Sequence, residues 1–156
     1  MSRLAFLSPH EAAATGVSPL RHVGGGAFTD VSALGKLEIR GDVDALDADA
    51  VRIGPGRALL VVDGDVRPTR DRLASAGYRV YDMTAALAAL EVEGEDLMRR
   101  LTELDLERLP AIGAIARGTA ALIERLDGER FRLFVPQELG HYVAEVVTDM
   151  AQGLRG

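Results

Sequence analysis

The side chains best suited to chemistry are three histidines, His10, His22 and His141, and two groups of aspartates. Metal binding and general-base catalysis both need partners at set spacings, and no histidine stands four residues from another. His141 falls beside Tyr142 in a predicted helix, between its apolar stripe and its wet face, and reads as a boundary residue. Asp42, Asp44, Asp47 and Asp49 are spaced loosely like calcium ligands. A calcium loop also needs a glycine at its sixth position, which is absent here, and the acids stop at Asp49. They read as a solvated loop, and Asp63-Gly64-Asp65 as the turn that closes a strand. Gly24-Gly25-Gly26 and Gly54-Pro55-Gly56-Arg57 are the only glycine-rich stretches. A phosphate cradle opens a helix, whereas each of these precedes a predicted strand, so both read as turns. A serine or threonine nucleophile needs a nearby base, and no Gly-x-Ser-x-Gly is present. Cysteine, tryptophan and asparagine are missing altogether, which excludes a thiol nucleophile, a disulfide and any motif built on Asn. No catalytic site emerges from the residues.

The elements that would carry such residues belong to one domain of ordinary size. A chain of 156 residues buries about 70% of its unfolded surface and needs no metal or disulfide to hold together. Hydrophobic residues make up 47% and charged residues 27%, a globular composition, but aromatics are only 4%, so the core is aliphatic. Eighteen basic against 24 acidic residues leave a net charge of −6, which argues against tracking nucleic-acid phosphates. Lys36 is the only lysine against 17 arginines, but the arginines are spread evenly and codon bias explains them. No window approaches a membrane-spanning run of apolar residues. The apolar run in MSRLAFLSPHEAAATG is too short for a signal peptide, so the chain is expected to be cytoplasmic.

An internal repeat organises the chain. Asp30-Val31-Ser32-Ala33 leads to Leu37-Glu38-Ile39-Arg40-Gly41, and Asp82-Met83-Thr84-Ala85 leads to Leu90-Glu91-Val92-Glu93-Gly94, with one residue inserted. The alternation at each end predicts a strand with one face buried and one wet. After the first copy come a buried strand, Arg57 to Asp63, and a helix from Thr69, as N-cap, to Ala76, stopped by Gly77. After the second, Glu95 to Leu104 is predicted helical, with Leu97, Leu101 and Leu104 on one side. Ala114 to Arg117 and Thr119 to Leu126 are predicted strands, and Asp127-Gly128 turns a hairpin into Phe131 to Pro136. A last helix, Gln137 to Ala151, carries a stripe of Leu139, Tyr142, Val143, Val146 and Met150. The expected fold is α+β: a single domain, 1–156, of two related β/α halves, 30–77 and 82–151, the first trimmed, behind an N-terminal arm, 1–29.

Asp-Val-Ser-x-x-Gly-Lys-Leu-Glu-x-x-Gly and its second copy resemble the folate-binding fold family of the glycine-cleavage T-protein, a tetrahydrofolate-dependent aminomethyltransferase. Within that family the order of elements is most similar to the gamma subunits of heterotetrameric sarcosine oxidases. The likeness begins at Ser18-Pro19-Leu20-Arg21-His22. It continues through Leu37 to Gly41, Ile53-Gly54-Pro55-Gly56-Arg57-Ala58-Leu59-Leu60, Asp82 to Gly94 and Leu104-Asp105-Leu106, and ends with Phe131 to Pro136 and Tyr142, covering residues 18–151. Gly56-Arg57-Ala58 departs from the Asp-Glu-Trp of those subunits. The aminomethyltransferases also carry a catalytic Asn-Asp pair, which a chain without Asn cannot have. The barrel domain that helps enclose folate in the family would follow Gly156.

The resemblance therefore implies the fold and a partner role, with no catalytic residue carried over. It implies a non-catalytic accessory subunit of a flavin-dependent amine oxidase complex, with the flavin in larger alpha- or beta-type subunits and no cofactor held by this chain. Ser18, Pro19, Leu20, Arg21 and His22 form a candidate docking arm, the alternative being an ordinary N-terminal segment. The other function in view is a stand-alone tetrahydrofolate-binding module, self-dimerising to complete a pocket. Neither reading involves nucleic acid, a membrane or a metal. The amine substrate and the stoichiometry are not written in these residues.

Overall fold

A computed structural model describes Ser18, Leu20 and residues 26–156. The fold is α+β, with two antiparallel sheets and few helices, and the chain divides into two compact units. Within the described residues, unit one is 33–86, and unit two is 18–32 together with 87–156.

Unit one is a four-stranded sheet with one helix. Its strands are β2 (Gly35–Arg40), β3 (Val51–Gly54), β4 (Arg57–Val62) and β5 (Arg79–Asp82), in the order β3-β4-β2-β5. Leu37 and Ile39 of β2, Ala58 and Leu60 of β4, and Val43 form its core with Leu73 of helix α1 (Arg67–Ser75). Gly54-Pro55-Gly56 forms the turn between β3 and β4, as expected, with Gly56 at φ +64. Helix α1 starts two residues before the expected Thr69 cap. The Asp65 carboxylate accepts the Arg67 N–H at 3.0 Å, and Pro68 fits the first turn, where a missing N–H costs nothing. Its C-terminus is as expected. Gly77, at φ +97, donates to the Ala74 carbonyl and Tyr78 donates to that of Leu73, both at 3.1 Å, so the last carbonyls are satisfied.

Unit two is a five-stranded sheet, β1-β6-β9-β8-β7, with two helices. Its strands are β1 (Thr29–Asp30), β6 (Leu87–Glu93), β7 (Ala111–Ile115), β8 (Thr119–Asp127) and β9 (Arg130–Pro136). Helix α2 (Glu95–Leu101) is shorter than expected, because Thr102 leaves it to bridge Ile115. Leu97 and Leu101 are buried as the pattern implied, and Leu104 reaches the core from beyond the helix. Asp127-Gly128 turns the β8–β9 hairpin as expected, with Gly128 at φ +44.

Two strand-and-helix expectations need correction. Ala116 and Arg117, expected in a strand, form the turn between β7 and β8, because the pairing of Ile115 with Thr119 leaves them outside the ladder. The last helix, α3 (Gly140–Arg155), buries Val143 of the expected stripe and packs Val146 and Met150 against the core, but its buried face also takes in Gly140, Ala144, Val147 and Ala151, which the stripe omits. Leu139 and Tyr142 are 36% and 37% exposed. Small residues let the helix backbone approach the sheet closely, so Leu139 and Tyr142 flank the contact while Val143 and Val147 fill it.

Candidate functional site

The most organised polar groups of unit one surround the start of β2. Thr84 accepts the Lys36 N–H on its hydroxyl at 3.1 Å, and its carbonyl accepts from the Lys36 ammonium at 3.0 Å. Met83 donates its N–H to the Lys36 carbonyl at 2.8 Å. Asp82 anchors this segment by accepting the Thr84 N–H at 2.9 Å. An Asp accepting from the backbone two residues on is the Asx turn expected where a strand must bend. Lys36 is thereby held in place with no exposed surface.

The same pattern of bonds recurs in unit two. Asp30 accepts the Ser32 N–H at 3.0 Å, Val31 donates to the Ala89 carbonyl at 3.0 Å, and the Ser32 hydroxyl accepts the Ala89 N–H at 3.1 Å. The strand registers correspond as well. Leu37 stands opposite Asp82, and Leu90 stands opposite Asp30.

One strand position further, Glu38 is buried between two arginines. Its Oε1 accepts from Arg57 Nε at 2.7 Å and Arg40 Nε at 3.1 Å. The hydrogen bond to Glu38, reinforced by its charge, raises the Arg40 guanidinium above its ordinary value, and the group stacks 4.9 Å from the Tyr81 ring centre. The wet face expected for this strand is therefore not wet at Lys36 and Glu38. Backbone carbonyl and paired guanidiniums stand in for water at those two positions. In unit two the corresponding acid, Glu91, accepts from Arg132 at 2.9 Å, and Arg132 also bonds Glu124 at 3.0 Å.

These arrangements hold strands together. Each acid accepts from the backbone or a guanidinium, and each hydroxyl of the Asp-x-Ser/Thr turns accepts a strand N–H. Asp42, Asp44, Asp47 and Asp49 are all exposed, and among the described residues no three His, Asp or Glu side chains gather as a metal site. His141 is exposed and lies 3.0 Å from Glu145 one helical turn on. His10 lies outside the described residues.

The candidate docking arm is described only in part. Ser18 donates its hydroxyl to Asp30 and accepts the Leu20 N–H at 3.0 Å, and Leu20 is buried in the core of unit two. Pro19, Arg21 and His22 lie outside the described residues, as do Gly24 and Gly25. Reasoning from the sequence missed the burial of Lys36 and Glu38. The one available signal was that Lys36 is the sole lysine of an arginine-rich chain.

No family model matches the sequence, and no curated protein matches it. Solved structures do match: the fold is that of a chain in an oligomeric oxidase. That structure is the heterotetrameric sarcosine oxidase from Corynebacterium sp. U-96 in complex with pyrrole 2-carboxylate. The likeness covers 100% of this chain and 96% of that one at a TM-score of 0.66, with 15% sequence identity. Among the described residues, no helix is long and apolar enough to cross a membrane.

Proposed function

We propose that this chain is a non-catalytic accessory subunit, of the gamma type, in a sarcosine-oxidase-like, flavin-dependent amine oxidase complex. The observation that carries the reading is the end-to-end likeness of fold to a chain of such a complex. The duplicated Asp-x-Ser/Thr turns support descent from two related halves of the aminomethyltransferase folate-binding type, since two unrelated segments have no reason to share three hydrogen bonds and a register. In this reading the flavin and the amine chemistry reside in the larger subunits, and the complex works in the cytoplasm.

A pterin edge needs a carboxylate or amide to receive its donors. Among the described residues the buried carboxylates serve the fold: Glu38 accepts from two arginines, and Asp82 accepts the Thr84 N–H on Oδ1. No step through folate is therefore derived, and the stand-alone folate module is the reading to be tested against.

Co-expression with the larger oxidase-type subunits from the same genome tests the proposal. A stable co-purifying complex supports it. Saturable calorimetric binding of tetrahydrofolate by the isolated chain, with no complex formed, would replace it by the folate module.

A further inference from the structure

A cleft of about 560 Å³ in unit two is lined by charged groups, two of which the fold does not use. It lies between the end of α2 and the β7–β8 turn, and Arg99, Arg100 and Arg117 line it together with Thr102 and Glu103. Arg99 pairs with Glu95 within α2. Arg100 and Arg117 are exposed, and their guanidiniums have no ion pair or hydrogen bond among the described residues. In a chain of net charge −6, this is a local concentration of positive charge.

The backbone at the same place is strained. Ala116 and Arg117 have φ of 43° and 66° and are the only non-glycine residues with positive φ among those described. The Gly118 N–H closes the turn on the Ile115 carbonyl at 3.0 Å. A hairpin turn with two positive φ values ordinarily takes Asn-Gly or Gly-Gly, whose backbones reach this region without steric cost. The turn is also pinned: Ala116 donates to the Leu101 carbonyl at 3.1 Å, and its own carbonyl accepts from the Tyr142 hydroxyl at 3.3 Å. Arg117 thus sits at the rim of the cleft in a conformation glycine would adopt more easily. What an arginine adds at such a position is its side chain, and strain of this kind gathers at functional sites.

We propose that the cleft binds a small dianion, its oxyanion groups held by the guanidinium forks of Arg100 and Arg117. Guanidinium is planar, always charged and matched to carboxylate and phosphate oxygens in pairs. The proposal stands independently of the oxidase-subunit reading.

Calorimetric titration of the full chain tests it, with inorganic pyrophosphate and succinate as separate probes to distinguish phosphate from carboxylate chemistry. In about 20 mM salt, where surface charge is weakly screened, at least one probe saturates a single site with Kd below about 1 mM. Arg100→Gln and Arg117→Gln each weaken that binding about tenfold, the loss of one charge-assisted contact, while Arg72→Gln on α1 leaves it unchanged. Arg117→Gly raises the thermal midpoint and still loses binding, which separates loss of the side chain from loss of the fold. Flat titrations with both probes overturn the proposal. So does equal weakening by Arg72→Gln, or unchanged affinity in Arg117→Gln.

Discussion

Thr84 and Lys36 are joined twice. The Thr84 hydroxyl accepts the Lys36 N–H at 3.1 Å, and the Thr84 carbonyl accepts the Lys36 ammonium at 3.0 Å. The pair secures the start of β2, the strand between β4 and β5, to the segment that leaves β5.

Thr84→Val keeps the shape and removes the acceptor, leaving the Lys36 N–H without its partner. The expected cost is about 1–3 kcal/mol, the usual penalty for an unsatisfied buried donor. Urea unfolding of Thr84→Val and Thr84→Ser reads it. Thr84→Ser keeps the hydroxyl and recovers most of the loss, whereas undiminished stability in Thr84→Val would show that the bond contributes nothing.

Gly35→Ala tests the close approach at the start of β2, where Gly35 is buried. An added Cβ would collide with Val66 Cγ1 and stand 2.9 Å from the Val62 carbonyl oxygen. The Val62 contact is backbone, so the strand itself must shift, at about 1–3 kcal/mol by analogy with overpacked cores. A thermal midpoint unchanged from the parent would contradict the geometry.

Ala144→Leu tests the corrected face of α3. Ala144 is fully buried, so the larger side chain forces the helix away from its core, again at about 1–3 kcal/mol. Leu139→Ser, at a site 36% exposed, costs less than about 1 kcal/mol. The reverse ranking in denaturant unfolding would restore the stripe of large side chains as the buried face.

Acid should loosen the start of α1. Hydrogen bonds from the Arg67 side chain and then its backbone N–H hold the Asp65 carboxyl below its ordinary value of 3.8. A carboxylate whose folded value is lowered contributes stability that is fully present above the unfolded value and is lost as pH falls through the folded one. The protection of amides in the first turn of α1, taken relative to the intrinsic exchange rate at each pH, should therefore fall as pH drops below about 3.8. Asp65→Asn keeps an acceptor without the charge and removes that acid-dependent change; an identical pH profile in the variant would contradict the assignment.

The sequence made the locally determined features legible. Gly77 ends α1 because only a left-handed residue closes that helix, and Asp127-Gly128 turns a hairpin, both through chemistry contained in a few neighbouring residues. The features it hid depend on distant partners. Glu38 looks solvent-facing by alternation, yet Arg57, 19 residues on, brings it a counter-charge that makes burial tolerable. Lys36 is covered through Thr84, 48 residues away. The last helix differs in another way: its large side chains mark only part of the buried face, and Gly140, Ala144 and Ala151 complete it because small residues let the backbone come close. Ala116-Arg117 carries no turn signature, so only the strand register places it outside the ladder.

The central claim is that this chain is built to be part of a larger oxidase. Native mass measurement of the complex purified after co-expression with the larger oxidase-type subunits tests it most directly. The account predicts one copy of this chain in every assembled complex, with flavin confined to the other subunits. A fully assembled and fully active oxidase that excludes this chain would contradict it.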